Sequence, residues 1–293
     1  MSLEDSELIL NDDGSIYHLN LQPHQIAHTI ITVGDPERVS AVTQHFDLIE
    51  HSVSKREFHT QTGFFRGKKF TVISTGIGTD NIDIVLNELD ALVNIDFKSK
   101  QVKQQLTQLD IVRIGTSGTI RKEIPVDSWL ISDYAIGFDT LLRHYQSEGC
   151  IEETISEAFV EQTNWNLKKG SPYVVKSDGK LFHQLFSEKT MKGFTATNVG
   201  FYGPQGRSLR LNASDPHMHQ GLIDFEYNGM QLTNLEMETS GIYGLAKLLG
   251  HRAISMNAIL ANRATGTFSQ QPKQVVDGLI EYTLNRLVSA EPH

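Results

Sequence analysis

The chain has one cysteine, Cys150, among 293 residues, which excludes an internal disulfide and any cluster of thiolate metal ligands. Positive charge is also in short supply. Lys and Arg total 26 against 35 Asp and Glu, a formal charge of -9. Nucleic-acid surfaces draw most of their binding energy from cationic clusters, so this balance excludes nucleic acid as a partner and requires any bound anion to be met by local groups. No run approaches the roughly 20 apolar residues of a membrane span. The N-terminal "MSLEDSELILNDDG" is acidic and lacks the basic start and apolar stretch of a signal peptide, so the expectation is a soluble cytoplasmic protein. There is no repeat, no low-complexity tract and no linker, and residues 1–293 are expected to form a single domain. Neither a Walker A lysine nor a G-x-S-x-G elbow occurs. "DPHMHQ" sets His217 and His219 beside Asp215, but no further ligands stand at zinc spacing, so no metal site is assigned.

What the chain does contain is an alternation of short β-rich runs with amphipathic helical ones, the pattern of a mixed sheet covered by helices. "HTIITVG" (28–34) predicts a buried strand ending at a glycine, and "DPERVSAVTQHF" a helix with Pro36 in its first turn. "EFHTQTGFFRGKKFTVISTG" predicts two strands joined at Gly67, and "NIDIVLNELDALV" a helix. "LDIVRIGTSG", "DSWLISDYAIG", "GFTATNVGFYG" and "HRAISMNAILANRATG" predict further strands. Helices are predicted over "IEETISEAFVEQT", "IYGLAKLLG" and the closing "PKQVVDGLIEYTLNRLVSA". Residues 168–192 are richest in polar and turn residues and are expected to be an insertion.

Three strands run into small residues, at "VGDPER", "STGIGTDN" and "RIGTSG". Glycine at a strand end admits a ligand close to backbone N–H groups, and a following helix N-terminus favours negative charge, so such loops can cradle phosphate; tight turns are the plainer account of each one alone. Two of the loops carry an arginine, Arg38 and Arg113, and "SKREF" adds Arg56. The guanidinium fork suits phosphate, though a single arginine is more often a surface charge. "TGIGTDN" departs from the dinucleotide fingerprint, with Asn81 where a third glycine is required. In "GFYGPQGRSLR", Phe201 and Tyr202 offer a flat apolar surface while Gln205 and Arg207 offer donors and an acceptor, a set able to bind a planar polar heterocycle or simply to form a packed turn. "NLEMETSG" places Glu236 and Glu238 just before a helix, as N-terminal acids or as a paired-carboxylate site.

In order along the chain, "IYHLNL", "VGDPERV", "KREFHT", "STGIG", "RIGTSGTI", "FYGPQGR", "NLEMETSG" and "LANR" resemble the motifs of the uridine phosphorylases in the nucleoside phosphorylase-I family. The resemblance implies an α/β fold, a three-layer sandwich around a mixed, partly barrel-like sheet. It implies phosphate binding by Gly34, Arg38, Arg113 and Thr116, with Arg56 supplied by a neighbouring subunit. His18, in the N-terminal motif, is implied to meet the ribose 5'-hydroxyl across the same interface. Glu236, Met237 and Glu238 are implied to hold the ribose, and Phe201, Gln205 and Arg207 the base. Such sharing makes a homodimer the minimum assembly, and the family usually forms hexamers. Thr239 replaces the usual serine of the "EMES" motif, and Thr79-Asp80-Asn81 departs from the loop at which an intersubunit monovalent cation would bind.

The activity so implied is reversible phosphorolysis of a pyrimidine ribonucleoside, with uridine preferred, inorganic phosphate as co-substrate and no cofactor or metal. Arg38, Arg113, Gln205, Arg207 and Glu238 are the expected catalytic residues. Related purine enzymes and nucleosidases place an aspartate near the end of a late strand, where this chain has Asn262 and Arg263. The alternatives are a hydrolytic nucleosidase, a purine nucleoside phosphorylase, and a non-catalytic protein that binds nucleoside or phosphate.

Overall fold

Residues 3–215 and 217–289 are described by a computed structural model of the chain. Its strands are β1 (Thr29–Val33), β2 (Leu48–Lys55), β3 (Phe58–Phe65), β4 (Lys68–Ser74), β5 (Ile95–Asp96), β6 (Gln101–Val102), β7 (Asp110–Thr119), β8 (Trp129–Gly137), β9 (Tyr173–Lys176), β10 (Thr190–Thr197), β11 (Glu226–Tyr227), β12 (Met230–Gln231), β13 (Asn234–Glu236), β14 (Arg252–Asn262) and β15 (Thr267–Phe268). The α-helices are α1 (Pro36–Thr43), α2 (Thr79–Asn94), α3 (Glu153–Thr163), α4 (Gly179–Leu185), α5 (Met218–Asp224), α6 (Thr239–Leu248) and α7 (Pro272–Ser289).

Eleven strands join one mixed sheet in the order β15-β14-β8-β10-β13-β7-β1-β4-β3-β2, with β9 paired to β8. Because β14 pairs with β7 as well as with β8, the strands β14, β8, β10, β13 and β7 close into a ring, and β1 to β4 extend from it as an open wing. The expected three layers follow from the period-two alternation of side chains along the strands. On β7, Ile111 faces a core shared with Leu86 and Leu89 of α2 and Ile242 of α6, while Val112 and Ile114 face a core shared with Val39 of α1, Leu181 of α4 and Leu279 of α7. Strands covered on both sides read as continuous apolar runs. A third core packs α3 and α5 over β8 and β10 through Phe138, Phe159 and Phe225. Across the ring Ser132, Thr195, Asn234 and Asn257 hydrogen-bond to one another, so the barrel holds a polar network.

Three local expectations are corrected. The small residues of "RIGTSG" form no loop: β7 continues through Thr119, because Gly118 and Thr119 pair with β13 on one side and β14 on the other. The strand expected over "GFTATNVGFYG" ends at Thr197, after which a short 3-10 turn forms at Gly203–Gln205. Residues 168–192 are not a polar insertion, since Tyr173, Val174 and Val175 are buried in β9 against β8 and α4 follows. The turn residues that suggested a loop serve as caps, the Asp178 side chain accepting from the Leu181 N–H at the start of α4.

Candidate functional site

The parallel strands β1, β4 and β7 point their C-terminal ends to one side, and β13 arrives there from the opposite direction. Ligands of α/β sheets bind at this edge because the loops that follow the strands converge there. A cavity of about 820 Å³ opens at this point. It collects Gly34 and Arg38 after β1, Arg113 and Thr116 from β7, Met237 and Glu238 after β13, and Phe201, Gln205 and Arg207 from the loop after β10. Ten of the twelve residues singled out in the sequence line this one space, Glu236 included.

Arg113 lines this cavity and is buried. Its Nη2 donates to Glu238 Oε2 at 2.6 Å and lies 3.3 Å from Glu236 Oε2, while Nη1 donates to Asn257 Oδ1 at 3.0 Å and Ser255 Oγ at 3.3 Å. Gly115 is required two residues on, because a Cβ there would overlap this guanidinium. Burial opposes the charge on Arg113, but the two carboxylates outweigh it and raise its pKa. Burial pushes the Glu236 carboxyl up, against the opposing pull of Arg113. A buried pair of this kind holds its geometry because breaking it leaves an uncompensated charge.

The two glutamates have separate surroundings. Glu236 Oε2 accepts from the N–H groups of Glu238 and Thr239, both at 2.9 Å, and from Thr239 Oγ1, while its Oε1 accepts from Thr197 Oγ1 at 2.6 Å. It therefore satisfies the first turn of α6, the N-terminal role that the sequence also allowed. Glu238 Oε1 accepts from the Gly78 N–H at 2.9 Å, which the positive φ of Gly78, 99°, aims at it from the start of α2. Each oxygen of Glu238 keeps a further lone pair for a ligand hydroxyl.

Arg38 is only partly buried, and among the described residues its side chain makes one long hydrogen bond, to the Ile114 carbonyl at 3.4 Å. Burial lowers its pKa and the neighbouring Arg113 lowers it further. Two adjacent guanidinium groups that repel one another form a place where an anion is favoured. At the other end, the Arg207 guanidinium lies 3.9 Å from the Phe201 ring centroid and donates to the Phe201 carbonyl at 2.7 Å and Gln205 Oε1 at 2.5 Å. The loop is tied to the sheet by Arg263, whose Nη1 donates to the Gln205 carbonyl at 2.7 Å. A second cavity, of about 810 Å³, lies behind this loop between Tyr202, Leu209 and Trp165, with Arg207 in the wall common to both.

His18 and Arg56 do not line the central cavity of their own chain. Arg56 is exposed at the tip of the β2–β3 hairpin with its guanidinium 5.9 Å from the Tyr17 ring centroid, and His18 sits beside it bonded to Glu88. Sequence reasoning missed Glu57, Asn81 and Phe268 in the cavity wall, and Ser255 and Asn257, which hold Arg113. The last two were visible as polar residues two apart within the apolar "AISMNAIL" of β14, the spacing that puts both on one strand face. Among the described residues no group of His, Cys, Asp or Glu is arranged to hold a metal ion, and no helix is long and apolar enough to cross a membrane.

The sequence profile of the phosphorylase superfamily matches residues 28–284. The uridine phosphorylase of Thermococcus kodakarensis is 28% identical over 262 residues, spanning 88% of this chain and 82% of that one. The purine nucleoside phosphorylase DeoD-type 2 of Shewanella oneidensis is 24% identical over 282 residues, 93% of this chain and 98% of its own. Among solved structures, a Trypanosoma brucei nucleoside phosphorylase described as showing uridine phosphorylase activity superposes with a TM-score of 0.86 at 30% identity, covering 97% of this chain and 100% of that one.

Proposed function

The chain belongs to the phosphorylase superfamily, and from that premise we propose that it is a pentosyltransferase carrying out reversible phosphorolysis of a pyrimidine ribonucleoside, with uridine preferred. One observation carries the pyrimidine reading. Asn262, which ends β14 where purine-cleaving relatives are expected to have an aspartate, has its amide fully engaged: Nδ2 donates to the Arg121 and Ile124 carbonyls and Oδ1 accepts from the Ala264 and Thr265 N–H groups. It has no proton to offer a purine, whereas Gln205 and Arg207 present donors suited to uracil carbonyl oxygens.

Inorganic phosphate is the co-substrate, held by Arg38, Gly34 and Thr116 in the field of Arg113. A phosphate oxygen forms a bond to C1' as the C1'–N1 bond breaks, and the electron pair of that bond leaves with uracil. Arg207 and Gln205 stabilise the negative charge developing on the base, and so act more strongly in the transition state than in the ground state. Glu238 accepts from the ribose hydroxyls and Met237 packs on the sugar. Glu236 supports them by fixing Arg113 and the first turn of α6. Holding phosphate and sugar together replaces an encounter by a positioned attack. The site is complete only in a homodimer or a hexamer of dimers, in which Arg56 and His18 of one copy reach the phosphate and ribose of the next. We place this enzyme in the cytoplasm.

Release of base from uridine, thymidine, inosine and adenosine, with and without phosphate, tests the reading. Uridine turnover that requires phosphate is expected. Undiminished release without phosphate would make the protein a nucleosidase, preference for inosine would make it a purine enzyme, and binding without turnover would leave a non-catalytic nucleoside binder.

A further inference from the structure

Glu88, on α2, has no place in the central cavity, yet its carboxylate collects three N–H groups from one turn of the N-terminal segment. Its Oε1 lies 2.6 Å from His18 Nδ1 and accepts the His18 backbone N–H at 3.0 Å, and Oε2 accepts the Leu19 N–H at 2.8 Å. The pair is largely shielded, with side-chain exposures of 25% for His18 and 12% for Glu88. The Tyr17 ring meets the imidazole edge-on at 4.7 Å between centroids, which restricts the ring further. An ionised carboxylate only accepts, so Nδ1 carries the hydrogen of this contact. The other ring nitrogen, Nε2, makes no hydrogen bond among the described residues, and in the neutral ring with its hydrogen on Nδ1 it presents a lone pair.

We propose that Glu88 is a positioning residue that fixes the His18 ring with its hydrogen on Nδ1, so that Nε2 accepts from a hydroxyl and the site selects nucleosides carrying a free 5'-hydroxyl. This rests on the reading above, in which His18 meets the ribose of a second copy. The fold supports that division of labour. The first turn of α2 binds Glu238 of its own cavity through Gly78, and Glu88 lies ten residues further on, about 15 Å along the helix axis at 1.5 Å per residue. Glutamine at 88 would keep one acceptor and turn an NH2 toward the remaining N–H donors, releasing the ring to exchange tautomers.

The test is a double-mutant cycle on the preference for uridine over 5'-deoxyuridine, taken as the ratio of kcat/KM values, for the wild type, E88Q, H18A and the double variant. The wild type is expected to prefer uridine. E88Q should cut the preference about tenfold, the loss of one well-formed hydrogen bond, and should change it no further in the H18A background. Ring nitrogen NMR of the wild type should show His18 as the Nδ1–H tautomer, and of E88Q a mixture. A purely structural Glu88 would lower both substrates alike and leave the ratio unmoved, and that result, or a wild type without preference, overturns the proposal. Should uridine phosphorolysis itself be absent, the earlier reading falls, while an E88Q spectrum identical to wild type would separately remove Glu88 from control of the tautomer.

Discussion

Replacing Asn262 by aspartate would restore the residue type expected in purine-cleaving relatives, and the structure predicts that it damages the fold without adding purine activity. The amide of Asn262 donates to the Arg121 carbonyl at 2.9 Å and the Ile124 carbonyl at 2.8 Å, and accepts from Ala264 and Thr265 at 2.9 and 3.1 Å. A carboxylate in its place keeps the two acceptances and loses both donations. Its ionised oxygen then faces two buried carbonyl oxygens. Each buried acceptor stripped of its donor costs about 1–3 kcal/mol, so the pair costs roughly 2–6 kcal/mol. At roughly 2–4 °C per kcal/mol for chains of this order of size, the melting temperature should fall by about 4–24 °C. Protonating the new carboxyl returns one donor, so the loss should be smaller at about pH 5 than at about pH 8, a contrast readable by thermal melts at the two values. Inosine phosphorolysis should stay at background. An N262D protein that melts within about 2 °C of wild type and cleaves inosine would refute both the structural role of Asn262 and the pyrimidine assignment.

Arg207→Ala removes the group that stacks on Phe201 and that we assign to the base; uridine kcat/KM should drop about 10²–10³-fold with the phosphate KM within about threefold of wild type, and an equal loss of both in steady-state assays would mean that the base end is misassigned. Arg38→Ala should do the reverse, raising the phosphate KM about 10–100-fold from the loss of a charged hydrogen-bond donor while leaving the uridine KM little changed. Asp139 is half-buried and accepts from Tyr173 OH, Ser240 Oγ and the Leu141 N–H; loss of hydration raises its carboxyl above the ordinary 3.8 and these bonds offset only part of that rise. Between the ordinary and the raised value the folded chain holds a proton that the unfolded chain has lost, so stability falls as pH rises through that window. Asp139→Asn cannot titrate, so the stability advantage of wild type over the variant should shrink as pH rises from about 4, and a pH-independent difference in denaturation midpoints would contradict the assignment.

The candidate site was legible to the extent that its residues announce a backbone need or a charge. Gly34, Arg38, Arg113 and the Gln205–Arg207 pair occur in short stretches that singly read as turns or surface charges and gain meaning only from their order along the chain, and one cavity gathers them. What a side chain does there was less visible. Glu236 and Glu238 are two residues apart and chemically identical, yet one closes the first turn of α6 and the other joins Arg113 to Gly78. That difference arises from the turn between β13 and α6, which directs the Glu236 carboxylate onto N–H groups that the helix leaves free. Likewise, the glycines of "RIGTSG" suggested a loop because chain composition does not reveal that two other strands lie alongside to pair with it.

By itself the sequence determined the alternation of elements and the motif set, because apolar periodicity, caps and glycine requirements act over a few neighbouring residues, whereas the three layers were implied only by the resemblance those motifs carry. Only the tertiary structure decided that β14 returns to pair with β7 and closes the ring, placing Ser255 and Asn257 against Arg113 from more than a hundred residues away in the chain. The same long-range assembly sets Arg113 between two buried carboxylates and leaves Arg38 open to the cavity. It also puts Glu88 under His18, 70 residues earlier in the chain. Charges meet in this way through packing that no local pattern encodes. A guanidinium's partners, and hence what it is free to bind, are properties of the fold.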